Sequence, residues 1–144
     1  MRGWLARLFG PSYASIDGQL RIGQRGELAA EIFLRRCGYQ ILQRNLRLPQ
    51  GEIDIIAVDR KTIVFVEVKT WYAESSEDPS EAVDDKKQAR IARAALVYLK
   101  QHRLLGLNAR FDVVSIIWGN SKEPSQIRHF KSAFESPGMG QFFG

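Results

Sequence analysis

The sequence predicts one α/β domain with the element order α-β-β-β-α-β and a mixed central sheet flanked by helices. Three observations predict it. Apolar residues recur at helical spacing in two stretches, 19–37 and 81–102. Between and after them lie β-branched runs bounded by turn residues. The central runs are apolar at successive positions, as expected of strands covered on both faces. The 144 residues suit a single domain with its own core.

Taken in order, residues 1–16 read as a mobile tail. They are basic and aromatic, and their apolar run is interrupted by Arg7 and stopped by Gly10-Pro11, which makes a poor signal peptide. The domain is expected over 17–135. In the first helix Leu20, Ala30, Phe33, Leu34 and Cys37 form one stripe, and Gly38 supplies a stop. Cys37 is therefore expected as a buried structural thiol. Residues 39–46 read as a short strand, and Pro49-Gln50-Gly51 as turn chemistry. Ile53-Asp54-Ile55-Ile56-Ala57-Val58 is a second strand and residues 62–69 a third. The link Asp59-Arg60-Lys61 is short enough only for a hairpin. Ser80 can cap the second helix. Residues 110–118 form another apolar strand, with a short strand or turn around 127–130. A loose glycine-rich tail follows at 136–144.

The net charge is +5, which favours anionic partners such as nucleic acid, although solubility alone also accounts for it. A single cysteine excludes an intramolecular disulfide and fits a reducing compartment, so a cytoplasmic location is expected. No apolar run approaches the roughly 20 residues of a membrane span.

Charged residues break the strand pattern at one place. Side chains alternate along a strand. Ile63, Phe65, Glu67 and Lys69 share a face that begins apolar and ends with two charges. Asp54 shares a face with Ile56 and Val58. A two-residue loop at Arg60-Lys61 pairs Asp59 with Thr62, Val58 with Ile63 and Ile56 with Phe65. It then sets Asp54 opposite Glu67 and Glu52 opposite Lys69, whereas a register one residue off puts Asp54 and Glu67 on opposite faces. Two facing carboxylates are unfavourable unless a cation lies between them or one is protonated. Glu27 lies at helical spacing between Leu20 and Leu34, so it projects from the packed face of the first helix. Three carboxylates and a lysine near strand ends suit Mg²⁺, a hard ion that takes oxygen ligands. Plain structural roles stay open. Lys69 can pair with Glu52 or Glu67, Asp54 can close the turn after Gly51, and Glu27 can bond a backbone amide.

Asp54 and Glu67-Val68-Lys69, with a glutamate on a preceding helix, resemble the PD-(D/E)XK nuclease superfamily and its restriction-endonuclease-like core. A closer resemblance is to the YraN family of uncharacterised bacterial proteins, which are similar to Holliday-junction resolvases. It is carried by Gly23-Gln24-Arg25-Gly26-Glu27-Leu28-Ala29-Ala30, Gly38-Tyr39-Gln40-Ile41-Leu42, Arg44-Asn45, Gly51-Glu52-Ile53-Asp54-Ile55-Ile56-Ala57, Val64-Phe65-Val66-Glu67-Val68-Lys69, Ala82-Val83 with Lys87-Gln88, and Arg110-Phe111-Asp112-Val113. That family has an arginine soon after the Glu-x-Lys lysine, whereas Thr70-Trp71-Tyr72 stands here. The resemblance implies a Mg²⁺- or Mn²⁺-dependent nuclease acting on DNA. Asp54, Glu67 and the Val68 carbonyl would be metal ligands, and Glu27 would bind directly or through water. Lys69 would position the attacking water, and Gln88 and Lys87 would reach the site from the second helix. By analogy it also implies a homodimer.

Lys86, Arg90, Arg93 and Lys100 form a basic stripe on the second helix that can track phosphates, as a solvated face also would. Trp4, Trp71, Trp118 and Phe130 can stack on bases or pack in the core, with Trp71 the best placed for stacking. Gly23-x-x-Gly26 lies within a helical pattern, so close packing explains it better than phosphate binding. His102 and His129 lack metal-ligand spacing. Two rival functions compete with the nuclease. One is a nucleic-acid-binding module that keeps the fold without turnover. The other is an interaction protein whose acidic cluster is structural.

Overall fold

A computed structural model describes residues 11–75 and 83–135. Five strands form one sheet, side by side in chain order. They are β1 (Gln40–Leu48), β2 (Gly51–Asp59), β3 (Thr62–Tyr72), β4 (Ala109–Trp118) and β5 (Pro124–Phe134). Helix α1 (Ile22–Arg36) precedes the sheet, and α2 (Asp85–Gln101) connects β3 to β4. All neighbouring strands are antiparallel except β3 and β4, which are parallel and therefore need the helical crossover. The mixed α/β architecture is the one the sequence predicts, with a longer fifth strand than the expected short segment.

Each helix covers one face. Ala29, Ala30 and Leu34 of α1 pack with Ile55, Val64, Val66 and Ile116. Ile91, Ala95 and Leu99 of α2 pack with Ile56, Ile63, Phe65 and Phe111. Alternate residues of β3 thus enter opposite cores, so its near-continuous apolar run is a strand buried on both sides. Small residues let the helices approach. A Cβ on Gly26 would meet Thr70 Oγ1 at 2.0 Å, and one on Gly51 would meet the Arg90 carbonyl oxygen at 2.6 Å. Gly51 is therefore a close-approach residue between sheet and helix, a role its turn context does not reveal.

The chain departs from expectation at its helix ends and at its start. Helix α1 ends at Arg36, so Cys37 is its C-cap and is exposed. The apolar stripe runs one residue past the helix, and the thiol is not a core group. Helix α2 begins after Asp84, whose carboxylate accepts the Lys87 amide at 2.8 Å. Ser80, expected as the cap, lies outside the described residues, as do 1–10 and 136–144 of the expected tails. Within 11–16, Tyr13–Ser15 form a 3-10 turn and Ile16 enters the α1-side core. No helix among the described residues is long and apolar enough to cross a membrane.

Candidate functional site at a fork in the sheet

The β2–β3 hairpin has the expected register, from Asp59↔Thr62 through Val58↔Ile63 and Ile56↔Phe65, but the ladder ends at Ile55↔Val66. Beyond that point β2 stays with β1 as far as Leu48↔Gly51, while β3 stays with β4 as far as Tyr72↔Trp118. The sheet forks. Asp54 and Glu67 are therefore not a ladder pair, and neither are Glu52 and Lys69. Instead Asp54 reaches across the fork, where its Oδ2 accepts the Val68 amide at 2.8 Å. This bond satisfies a backbone donor that the parting strands would leave unpaired.

A kink accompanies the fork. Asn45 lies between the pairs Arg44↔Ile55 and Leu46↔Ile53, opposite Asp54, with a left-handed φ of 52°. Strict alternation would put Ile53 and Ile55 on one face. Ile55 belongs to the α1-side core, whereas Ile53 and its partner Leu46 belong to the α2-side core. The strand pair turns over at Asn45 and Asp54, so Asp54 sits where neither face claims it.

Asp54 has two glutamates as neighbours there. Glu67 is only 5% exposed. Burial and then the Asp54 charge push its carboxyl up to about 7, against the opposing pull of Lys87. Glu27, half-buried on α1, is also raised, first by burial and then by Asp54. A side-chain hydrogen bond from Asn45 and the charge of Arg47 oppose that rise. Asp54 thus lies within hydrogen-bonding reach of both glutamates. A small cleft of about 180 Å³ opens beside Glu27, walled by Leu20 and Leu28 and edged by Gln24, Arg44 and Asn45.

One ammonium balances this acidity. Lys87, in the first turn of α2, forms an ion pair with Glu67 Oε1. Burial works against its charge, but the bond and charge of Glu67, with help from Asp54, hold it above the ordinary lysine value. Gln88 is beside it, and its Nε2 donates to the Val83 carbonyl at 2.6 Å, closing the helix start. Lys69 is half-buried and makes no ion pair among the described residues. Trp71 is half-buried, and its indole N–H is sequestered without a partner among the described residues. Lys86, Arg90, Arg93 and Lys100 are exposed along α2. Trp118 is a core residue beneath the Arg25 guanidinium, not a stacking surface.

The donor set is all oxygen and carries excess negative charge, which suits a hard divalent cation. No trio of His, Cys, Asp or Glu side chains among the described residues is already gathered around a metal position. Asp54 Oδ2 is engaged by an amide and Glu67 Oε1 by an ammonium. Two partners escape a reading by spacing. Asn45 carries no signal except its place opposite Asp54. The Lys87–Glu67 pair depends on how α2 lies against β3.

A separate polar network ties the far end of the sheet. The fully buried Asp112 carboxylate accepts from Arg110 Nε (3.0 Å), His129 Nε2 (2.8 Å) and the Ser132 amide (3.0 Å). Arg110 also reaches Asp59 at 3.1 Å and the Tyr39 hydroxyl at 2.8 Å.

Comparison with known proteins places these residues in a family. The model of the uncharacterised protein family UPF0102 matches residues 26–116, which span Glu27, the fork, Lys87 and Asp112. A UPF0102 protein of Rhodopirellula baltica is 44% identical over 135 residues, covering 92% of this chain and 81% of the relative. One from Geobacter metallireducens is 48% identical over 114 residues, covering 79% of this chain and 92% of the relative. One from Desulfosudis oleivorans is 50% identical over 114 residues with the same coverage. The chain belongs to the uncharacterised protein family UPF0102.

Proposed function

We propose that the chain is a divalent-metal-dependent nuclease that hydrolyses phosphodiester bonds, with branched or processed DNA as the substrate class. The observation that carries this reading is Asp54 at the fork beside the buried Glu67 and beside Glu27, with Lys69 two residues beyond Glu67 on the same strand. Burial first, and then the Asp54 charge, raise both glutamates, a perturbation of the kind that functional sites carry.

Asp54, Glu67 and the Val68 carbonyl would hold Mg²⁺ or Mn²⁺, with Glu27 joining directly or through water. When bound, the ion supplies polarisation of the phosphoryl group and activation of water. Lys69 orients the attacking water and offsets charge on the phosphate. Water oxygen forms the new P–O bond as the sugar oxygen leaves with a proton. Gln88 and Lys87 border the reacting phosphate from α2. Lys86, Arg90 and Arg93 hold the neighbouring backbone through charge, and Trp71 stands at the rim as a stacking surface. The Lys87–Glu67 pair also suits a nucleic-acid-binding module without turnover, since an ammonium already satisfies that carboxylate.

The test is cleavage of labelled single-stranded, duplex and four-way-junction DNA in Mg²⁺ or Mn²⁺, beside Asp54→Ala and Lys69→Ala. Metal-dependent cleavage lost in both variants supports the nuclease. Equal DNA binding by all three proteins with no cleavage supports the binding module.

A further inference from the structure

One contact at the fork is unexpected for a metal centre: a lysine already occupies a carboxylate that the metal would use. Lys87 Nζ pairs with Glu67 Oε1, although the lysine side chain is 44% exposed and the glutamate only 6%. The lysine thus keeps access to solvent while its partner has little. The position is also a poor one for a lysine on helical grounds. It lies in the first turn, where the helix dipole favours negative charge. Asp84 and Asp85 meet that preference at the same helix start.

We propose that Lys87 is a resident counter-ion of the carboxylate cluster: its ammonium holds Glu67 in the metal-free protein and is expelled when a divalent cation takes that carboxylate. This inference rests on the metal-dependent reading above. Asp54 and Glu67 without a cation would repel each other, and Lys87 relieves that repulsion. An ammonium on Glu67 Oε1 and a metal on the same carboxylate repel each other, so each weakens the other's hold. At contact distances salt does not screen their mutual repulsion, because the Debye length is about 8 Å at physiological ionic strength. The four-carbon stem lets the ammonium swing to water with little change in the backbone. The pair therefore sets a threshold, so the cluster accepts a doubly charged ion only by exchanging a singly charged one.

The experiment is calorimetric Mn²⁺ titration of the full chain at fixed pH and salt, comparing wild type with Lys87→Met, which keeps the stem and removes the charge. Displacement predicts that Lys87→Met binds Mn²⁺ roughly 10-fold more tightly, the effect of about 1.4 kcal/mol. It also predicts lower thermal stability in EDTA, with the gap closing as Mn²⁺ is added. Equal or weaker Mn²⁺ binding by Lys87→Met overturns the counter-ion and leaves the metal site standing. Absence of Mn²⁺ binding by both proteins overturns the metal-dependent reading itself, and displacement with it. Should the variant not fold, NMR of wild type labelled at lysine Cε reads the same event. Mg²⁺ must move the Lys87 signal towards that of solvent-exposed lysines, and an unmoved signal at saturation overturns displacement.

Discussion

Asn45 faces Asp54 across the β1–β2 ladder with a left-handed backbone, and the strand pair changes face at this point. Asparagine tolerates that conformation better than other non-glycine residues, whereas a β-branched side chain does not. Its side chain also opposes the rise of the Glu27 carboxyl, so one residue shapes the fork and tempers an acid beside it. Asn45→Val is expected to lower stability by about 2 kcal/mol. Asn45→Gly should cost only a few tenths through the backbone, because glycine accepts positive φ freely. Urea unfolding of both variants checks this. A valine variant as stable as wild type would mean that the kink is not built into the fold.

The acids at the fork repel each other, and removing one charge should stabilise the metal-free protein. Glu67 is raised from 4.5 to about 7, by burial first and then by Asp54. Its folded form therefore holds a proton that the unfolded chain has released. Stability falls as pH rises from about 4.5 to 7, and the loss is complete above that window. Asp54→Asn keeps an oxygen for the Val68 amide and removes the charge. In EDTA it should exceed wild type by about 1 kcal/mol at pH 8, with the gain fading by pH 5.5, where wild-type Glu67 is already neutral. Thermal denaturation at the two pH values decides it, and a loss of stability at pH 8 would show that the carboxylates do not repel.

Much of this site was legible from spacing. Asp59-Arg60-Lys61 permits only a tight hairpin, and the apolar pairs Val58–Ile63 and Ile56–Phe65 set its register. That register brings Asp54 and Glu67 to the same end of the sheet. The fork was not legible, because alternation assumes a regular strand and the irregularity at Asn45 ends it. The facing pair of Asp54 and Glu67 is not formed, and the pairing of Lys87 with Glu67 depends on helix placement, which no local pattern encodes. Cys37 shows the opposite error. A periodic stripe continues for one residue after the helix has stopped, and burial stops with the helix.

Gly26 makes a tight contact next to the site. A methyl group there would meet Thr70 Oγ1 at 2.0 Å and Thr70 Cβ and Cγ2 at 3.0 Å, and threonine has little rotamer freedom to retreat. Gly26→Ala is expected to cost about 2 kcal/mol by forcing α1 away from β3. Thr70→Ala in the same chain should restore part of that, so the two substitutions will not be additive. A double-mutant cycle by urea unfolding reads the coupling, and additive costs would sink the contact as their cause.

Asp112 should make the fold acid-sensitive. Burial opposes its charge, but His129, Arg110 and the Ser132 amide overcome that cost and hold its carboxyl below the ordinary 3.8. A depressed carboxylate contributes stability that is present above the unfolded value and is lost as pH falls through the folded one. Asp112→Asn leaves Arg110 and His129 facing an amide, at a cost of about 3 kcal/mol near neutrality. The difference from wild type should shrink as pH falls below about 4. A difference independent of pH would assign the loss to shape and not to charge.

The basic stripe on α2 gives a prediction that separates backbone contact from catalysis. Lys86, Arg90 and Arg93 are exposed, and no ion pair occupies them among the described residues. If they hold phosphates, replacing any one by alanine should weaken DNA binding similarly for every sequence. Each loss should lower the slope of log affinity against log salt by about 0.9 for duplex and about 0.7 for single strands. Stability should be unchanged, because the side chains point into water. Binding measured by anisotropy across a salt series reads both quantities. An unchanged slope in all three variants would make the stripe a solvated face and shift the search for phosphate contacts to Arg44 and Arg47, beside Glu27 on the other side of the fork.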